Sequence, residues 1–254
     1  MGNAVHRNLV KLYGYCFEDN MKALVYEYME NGSLDKILYE NNHGSIELVK
    51  LYAIVIDTAN GIKYLHHELE EQIIHHDIKA ANVLLDKNNS AKITDFGLAR
   101  IMNRDVSRVD LTGPRGTQGY TAPEAWMPGS QVTFKCDVYS FGMMLFEVLG
   151  KRKNGRAENW FPGLVWNQFE NGNLEHFLKD CGIAEKDKEN ANILCKVALW
   201  CVQDNPNLRP SMENVALILN KKELVNDPPC PSLNFRQYSS MVDLEESRRE
   251  NIER

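Results

Sequence analysis

Apolar residues recur along this chain in two rhythms. "NLVKLYGYCF" (Asn8–Phe17) and "KALVYEYM" (Lys22–Met29) are short runs rich in Val, Leu and Tyr, and "EDN" turns between them. Such runs around a polar turn predict a two-stranded hairpin. "NGSLDKILYE" follows, with Ser33 placed to cap a short helix. From Glu47 to His67 the apolar positions fall at Leu48, Leu51, Tyr52, Val55, Ala59, Ile62 and Leu65. Steps of three and four predict an amphipathic helix. Short strands are expected at "NVLLD" and "SAKIT". The Gly-, Thr- and Arg-rich segment from Phe96 to Pro123 reads as an ordered functional loop.

Beyond that loop the pattern is helical only. "KCDVYSFGMMLFEVLG" is apolar on nearly all sides, which predicts a buried central helix. "ANILCKVALWCVQ" and "SMENVALILNKK" are further helices, the second opened by Ser211 after Pro210. After Val225, "NDPPCP" breaks regular structure, and "DLEESRRENIER" is densely charged; the expectation for 225–254 is a solvated tail. Strands, then helices, a loop-rich centre and helices again make an α+β pattern with a large helical domain.

Composition narrows the classes without choosing one. The 254 residues can bury one large core or two small ones, and 43% apolar with 25% charged residues is ordinary for a globular protein. A net charge of −6 argues against a nucleic-acid partner. No run approaches the roughly 18 apolar residues of a membrane span. The best, "VYSFGMMLFEVLG", is short and contains Glu147. No secretory signal opens the chain, and "MGNAVH" places His6 where a myristoylation site needs Ser or Thr. The chain is therefore expected to be soluble. Six cysteines without a C-x-x-C pair suit reduced thiols rather than a disulfide framework.

The stretch "QIIHHDIKAANVLLD" (Gln72–Asp86) is where chemistry concentrates. His66, His67, His75 and His76 suggest a metal site, but adjacent side chains diverge and no Cys or Glu completes a tetrahedral set. Another pattern accounts for the stretch better. "HHDIKAAN" fits H-R-D-L-x-x-x-N with His76 in the arginine's place, "DFG" follows at Asp95–Gly97, and "APE" stands at Ala122–Glu124. With "GTQGYTAPE" and "DVYSFG" in the same order, the chain resembles a eukaryotic protein kinase. "HHDIKAANVLLD", "ENWFPGLVWNQFENGNLE" and "PPCPSLNF" resemble, within that family, plant receptor-like Ser/Thr kinases of the leaf-rust-resistance type.

The resemblance implies a protein kinase-like fold with ATP and Mg²⁺ as cofactors and a Ser/Thr-bearing protein as substrate. It implies that Asp77 orients the substrate hydroxyl and accepts its proton. Lys79 would neutralise the transferring phosphate, as in the Ser/Thr-specific class, and Thr117 would bond both. Asn82 and Asp95 would hold Mg²⁺. In the nucleotide pocket it implies Tyr26 as gatekeeper, the Glu27 and Met29 backbones against adenine, Leu84 beneath it, and Ser33 or Asp35 near the ribose. Glu124 would pair with Arg209, Asp137 would bond the catalytic-loop backbone, and His75 and Phe96 would stack with Leu12.

The departures are as informative. The likeness runs from Val5 to Leu224 and begins just before the fourth strand of the small lobe. No G-x-G-x-x-G precedes Asp77, and no V-A-I-K-like lysine is present. The expected division is a partial N-lobe at 1–28, a complete helical C-lobe at 29–224 and the tail. Without the groups that clamp the triphosphate, the expectation is no phosphate transfer from this chain alone. The alternative is a non-catalytic binding module from a truncated gene product. The parent is expected on the cytoplasmic side of the plasma membrane. Apolar faces of the first hairpin are expected to be exposed. His76, mostly neutral near pH 7, implies weak dependence on activation-loop phosphorylation at Ser107 or Thr112.

Overall fold

The structure is a computed structural model that describes residues 4–40, 46–102, 116–126, 131–155 and 160–239, and the backbone of 109–110. The chain opens with a hairpin of β1 (Leu12–Glu18) and β2 (Met21–Tyr26), paired antiparallel with Tyr15 opposite Leu24 and Phe17 opposite Lys22. Its strand begins later than the sequence pattern suggests. Residues 8–10 instead bridge to the body, where Val10 N–H donates to Ile93 O at 2.9 Å and Ile93 N–H to Asn8 O at 2.9 Å. Asn8 is buried there and donates to Ala91 O at 3.0 Å.

Helix α1 (Leu34–Tyr39) starts after an extended Ser33, whose side chain makes no capping bond. Helix α2 (Leu48–Lys63) buries the predicted face, with Leu51, Val55, Ala59 and Ile62 enclosed, and then relaxes into a π-helical turn at Tyr64–Glu68. Short antiparallel pairs follow: β3 (Gln72–Ile74) with β6 (Arg100–Met102), and β4 (Val83–Leu85) with β5 (Ala91–Ile93). A further pair joins β7 (Val109–Asp110) to β8 (Gln131–Val132). β3 has no clear periodic signal, because a three-residue strand is made by its partner rather than its own pattern.

Helix α3 (Lys135–Gly150) is the axis of the body, with nearly every residue buried. It packs on α6 (Lys188–Cys201) so closely that a Cβ at Gly142 would sit 2.7 Å from the Cys201 Cβ. Around them lie α4 (Phe161–Glu170), α5 (Leu174–Asp180) and α7 (Met212–Leu219). Ser211 caps α7 by accepting from Asn214 N–H at 3.2 Å. One apolar core unites these helices with β4 and β5. The six cysteines are all unpaired.

The expected solvated tail is corrected over its first half. Trp200 Nε1 donates to Asn226 O at 3.0 Å, Gln203 Nε2 to Pro229 O at 3.1 Å, and Asp204 N–H to Pro231 O at 3.0 Å. A last helix, α8 (233–239), then buries Phe235 and Tyr238 against α4. The charge of the final residues hid this apolar pair. Residues 240–254 lie outside the described residues, as do Ser107 and Thr112.

Candidate active site

The loop between β3 and β4 is held from below by one buried carboxylate. Asp137, in the first turn of α3, accepts His75 N–H at 2.8 Å on Oδ2 and His76 N–H at 2.8 Å on Oδ1. His66 Nε2 completes the set at 2.9 Å from Oδ2. Burial opposes ionisation of Asp137, but the His66 bond and the nearby imidazoles hold its pKa below the usual carboxylate value. This anchoring keeps His76 in a left-handed conformation, φ 65°. Its ring is buried, with Nδ1 3.7 Å from Cys136 Sγ. Burial pushes the Cys136 thiol well up, so it offers His76 no anion.

His75 is held in one tautomer. Nδ1 accepts Asp77 N–H at 3.2 Å, and Nε2 faces Thr94 O at 3.0 Å as the donor. Burial lowers its pKa, which agrees with a neutral ring. The ring lies 5.0 Å from that of Phe96, and Phe96 shares a cavity with Leu12.

Asp77 stands at the centre of a four-residue network. Thr117 Oγ1 donates to Oδ1 at 2.5 Å, while Lys79 Nζ at 2.7 Å and Asn82 Nδ2 at 2.9 Å both donate to Oδ2. Lys79 Nζ also donates to Thr117 Oγ1 at 2.8 Å. Burial raises the Asp77 pKa, but Lys79, Thr117 and Asn82 together outweigh it and hold the carboxyl below its ordinary value. A carboxylate has about four acceptor positions. Three are used here, and the remaining one is on Oδ1.

Asp95 is adjacent through the backbone, because Thr94 N–H donates to Asn82 O at 3.0 Å. It is left-handed (φ 64°, ψ 67°) and exposed, and its carboxylate meets Gly97 N–H at 3.4 Å. Since the Asn82 amide donor is spent on Asp77, its carbonyl oxygen is what remains for a cation. Two hard oxygen donors suit Mg²⁺, which takes few protein ligands and fills its shell with water and phosphate. Among the described residues no group of three or more His, Cys, Asp or Glu could hold a metal.

The segment beyond Thr117 is pinned to the helical body. Glu124 meets Arg209 in a bidentate pair, 2.6 and 2.8 Å. Arg209 is 1% exposed and also donates to Gln203 O at 2.7 Å and Lys135 O at 2.9 Å.

Comparison with known proteins accounts for this arrangement. Residues 1–219 match the family described as protein tyrosine and serine/threonine kinase. The chain belongs to the protein kinase family. A G-type lectin S-receptor-like serine/threonine-protein kinase of Arabidopsis thaliana is 44% identical over 91% of this chain and 27% of its own length. A leaf rust 10 disease-resistance locus receptor-like protein kinase-like protein of the same plant is 37% identical over 97% of this chain and 41% of its own. A PR5-like receptor kinase of that plant is 37% identical over 97% and 38%. The chain thus spans well under half the length of these relatives. No helix among its described residues is long and apolar enough to cross a membrane.

Around the expected hinge residues the chain is less closed. Glu27 N–H is spent on Lys11 O at 2.9 Å, which leaves its carbonyl oxygen; Met29 N–H has no partner among the described residues. The Glu27 side chain turns away to Lys92 at 2.8 and 2.9 Å. Leu84 is bridged to Ser33, and Leu85 N–H donates to Gly32 O at 2.8 Å, so the expected floor and ribose side lie together with Asp35 one helical step on. Tyr26 and Glu27 instead line a cavity of about 300 Å³ with Leu12, Ile73 and Phe96; Met29, Ser33, Asp35 and Leu84 are not on it.

Sequence reasoning missed two residues that shape the site. His66, set aside as half of an unconvincing metal pair, is the third ligand of Asp137. Its place four residues after Ile62, in the turn that continues the buried face of α2, is the signal that it is enclosed. Glu147 accepts the Tyr120 hydroxyl from deep in α3, and Ser140 Oγ donates to Tyr120 O at 2.8 Å, which fixes the segment after Thr117. Burial raises the Glu147 pKa.

Proposed function

We propose that this chain carries the catalytic-loop and metal-binding half of an ATP- and Mg²⁺-dependent Ser/Thr protein kinase, and that residues 1–254 alone do not transfer phosphate. The Asp77–Thr117–Lys79–Asn82 network is the observation that supports it most directly. The kinase family generally uses ATP and Mg²⁺; when bound, they supply the phosphoryl group and neutralise its developing charge. Asp77 Oδ1 receives the hydrogen bond of the substrate hydroxyl. With its lowered pKa, Asp77 orients that hydroxyl in the ground state and takes the proton only as the oxygen loses its basicity to phosphorus. Lys79, held by Asp77 and Thr117, presents a cation to the phosphoryl oxygens. Asn82 and Asp95 would hold Mg²⁺ through oxygen. Met29 N–H and Glu27 C=O would meet the adenine edge, with Leu84 beneath it, Tyr26 behind it, and Ser33 and Asp35 near the ribose.

The proposed division is an N-lobe portion at 1–28 and the helical lobe at 29–224. A parent anchored at the plasma membrane, facing the cytoplasm, fits the receptor-like relatives. The deciding assay compares phosphate transfer by residues 1–254 with transfer by a chain extended by a Gly-rich loop and lysine-bearing strand taken from a relative. Transfer is expected from the extended chain alone, and Asp77→Asn should lower its kcat by about 10²- to 10⁴-fold. An inactive extended chain that still binds ATP would overturn the catalytic reading; strong transfer by residues 1–254 would overturn the claim of incompetence. In the same extended chain, Ser107→Ala with Thr112→Ala should change activity little. A hundredfold drop would sink the role given to His76.

The second reading, a non-catalytic binding module, draws on the open nucleotide side and on the exposure of Tyr15 (75%) and Phe17 (73%). It predicts partner binding that survives Asp77→Asn and no gain of transfer on extension.

A further inference from the structure

The β1–β2 hairpin has two outer edges, since among the described residues each strand pairs only with the other. Its turn, Asp19–Asn20, is two residues long and closes on Glu18 and Met21. A turn of that length closes on a hydrogen-bonded pair, and bonded and non-bonded pairs alternate beyond it. Gly14 and Cys16 therefore bond to β2, while the N–H and C=O groups of Tyr15 and Phe17 point outward from β1. The side chains along this edge are exposed as well, with Tyr13, Tyr15 and Phe17 in solvent.

The sequence of β1 is complementary to itself in one register. An antiparallel copy centred on Tyr15 sets Tyr15 against Tyr15, Tyr13 against Phe17 and Lys11 against Asp19. Outward-pointing backbone groups then meet their like, and aromatic side chains pair across the junction on one face. Opposite charges close both ends, and Lys11 and Asp19 are both exposed. A slip of two residues, the smallest that keeps the faces matched, puts Lys11 opposite Phe17 or Met21 and loses the charge pairing. The edge of β2 has no such match. A twofold about Leu24 sets Lys22 opposite Tyr26 and Met21 opposite Glu27. Size sets the strength: two seven-residue strands joined at their edges bury less than the roughly 1,200 Å² of a stable complex, so the pairing is weak and reversible.

We infer that the outer edge of β1 docks a second copy of this chain, as a twofold antiparallel pair centred on Tyr15 that joins the two hairpins into one four-stranded sheet. The contact is isologous, so it closes at two copies. It ties the strand next to Glu27 and Met29 to the concentration of the protein, and it does not depend on phosphate transfer.

The test combines disulfide trapping with sedimentation of the 254-residue chain. In this register Gly14 lies opposite Cys16 of the second copy in a non-hydrogen-bonded pair, with Cα atoms about 4.5 Å apart and so within disulfide range. A Cβ at Gly14 meets nothing within 4 Å, so Gly14→Cys should fold normally. In a glutathione buffer it should form a covalent dimer, each interchain bond made as one glutathione disulfide is reduced to two thiols, and added Cys16→Ser should abolish that dimer. Peptide mapping should find the new thiol bonded to Cys16. A Cys16–Cys16 bond in the wild-type chain would instead mark the slipped register and overturn the inference. In sedimentation the wild-type chain should show a reversible monomer–dimer equilibrium. Asp19→Lys should weaken it about tenfold, the scale of two exposed ion pairs turned repulsive, and adding Lys11→Asp should restore it. A chain that stays monomeric at every concentration would overturn the inference. So would association that ignores the charge reversal, which would mean that aromatic faces stack, and so would growth past the dimer.

Discussion

The stretch from β3 to β4 and the β1–β2 hairpin are both short and rich in apolar residues, yet they are stabilised in opposite ways. From Ile74 to Leu85, Ile74, Ile78, Ala80, Val83 and Leu85 are enclosed, and the polar groups among them meet partners from α3 and from Thr117. In the hairpin, Tyr13, Tyr15, Phe17, Leu24 and Val25 face solvent. Its ladder is its own, and it joins the body mainly through Asn8, Val10 and the Glu27–Lys92 pair. The Asp77 side of the candidate site is thus prearranged by the core. The half that would meet the nucleotide is a template that its own strands do not cover.

The largest effect expected from this contrast is at Asp137. Asp137→Ala strips partners from two buried backbone N–H groups and from His66, and should cost about 3–5 kcal/mol. The matching change in the hairpin is Glu27→Ala, which breaks a partly exposed ion pair and should cost no more than about 1 kcal/mol. Urea denaturation of the two variants measures both. Equal losses would show that the hairpin is as tightly coupled to the core as the loop, and the comparison would fail.

The second effect is a pH dependence that belongs to the loop. Burial lowers the His75 pKa below the ordinary imidazole value of about 6.5. The unfolded chain therefore takes up a proton before the folded one. Stability is full above about pH 6.5 and falls as the pH drops from there toward the folded value, by at most about 1.4 kcal/mol per pH unit for this group. Asp77 and Asp137 have the opposite timing. Their lowered values stabilise the fold above the ordinary carboxylate range, near pH 4, and that contribution is lost only as the pH falls through the folded values. Unfolding free energies at pH 7, 6 and 5 should decline, and His75→Phe should flatten the decline by about 1 kcal/mol per unit. An unchanged slope in that variant would assign the acid sensitivity to His6 or His67, which burial also lowers.

The same contrast explains what the sequence made legible. Asp77, Asn82, Asp95, Glu124 and Arg209 could be singled out because their order and local spacing are constrained, and the fold does bring Asp77 to Asn82 and Glu124 to Arg209. The long helices were legible for a similar reason, since a 16-residue face such as that of α2 repeats its signal several times. Contacts that join distant residues left little trace. His66 meets Asp137 across 71 positions, and Tyr120 reaches Glu147 inside a helix where the glutamate read as an interruption. The packing of Phe235 and Tyr238 on Trp160 was masked by averaging them with a charged terminus. Of the three-residue strands, β4 and β5 were expected, whereas β3 and β6 are defined by their pairing rather than by a pattern of their own.

The smallest expected change in stability is also the one that sharpens the comparison most. Tyr15 and Phe17 lie on one face of β1, opposite Leu24 and Lys22, and together they form an aromatic surface on a two-stranded ribbon. Since both rings are already in water, Tyr15→Ser with Phe17→Ser removes little buried area, and the unfolding free energy should shift by about 0.5 kcal/mol or less, mostly through lost strand propensity. Solution behaviour should change more. Exposed apolar strands beside an open sheet edge promote association, so the wild-type chain should self-associate as its concentration rises and the double variant should remain monomeric further. Light scattering across a concentration series, read beside the denaturation curves, separates the two quantities. A loss of several kcal/mol on substitution would mean that this aromatic face is packed in solution, and that the hairpin is a structural part of the kinase body rather than an uncovered edge beside it.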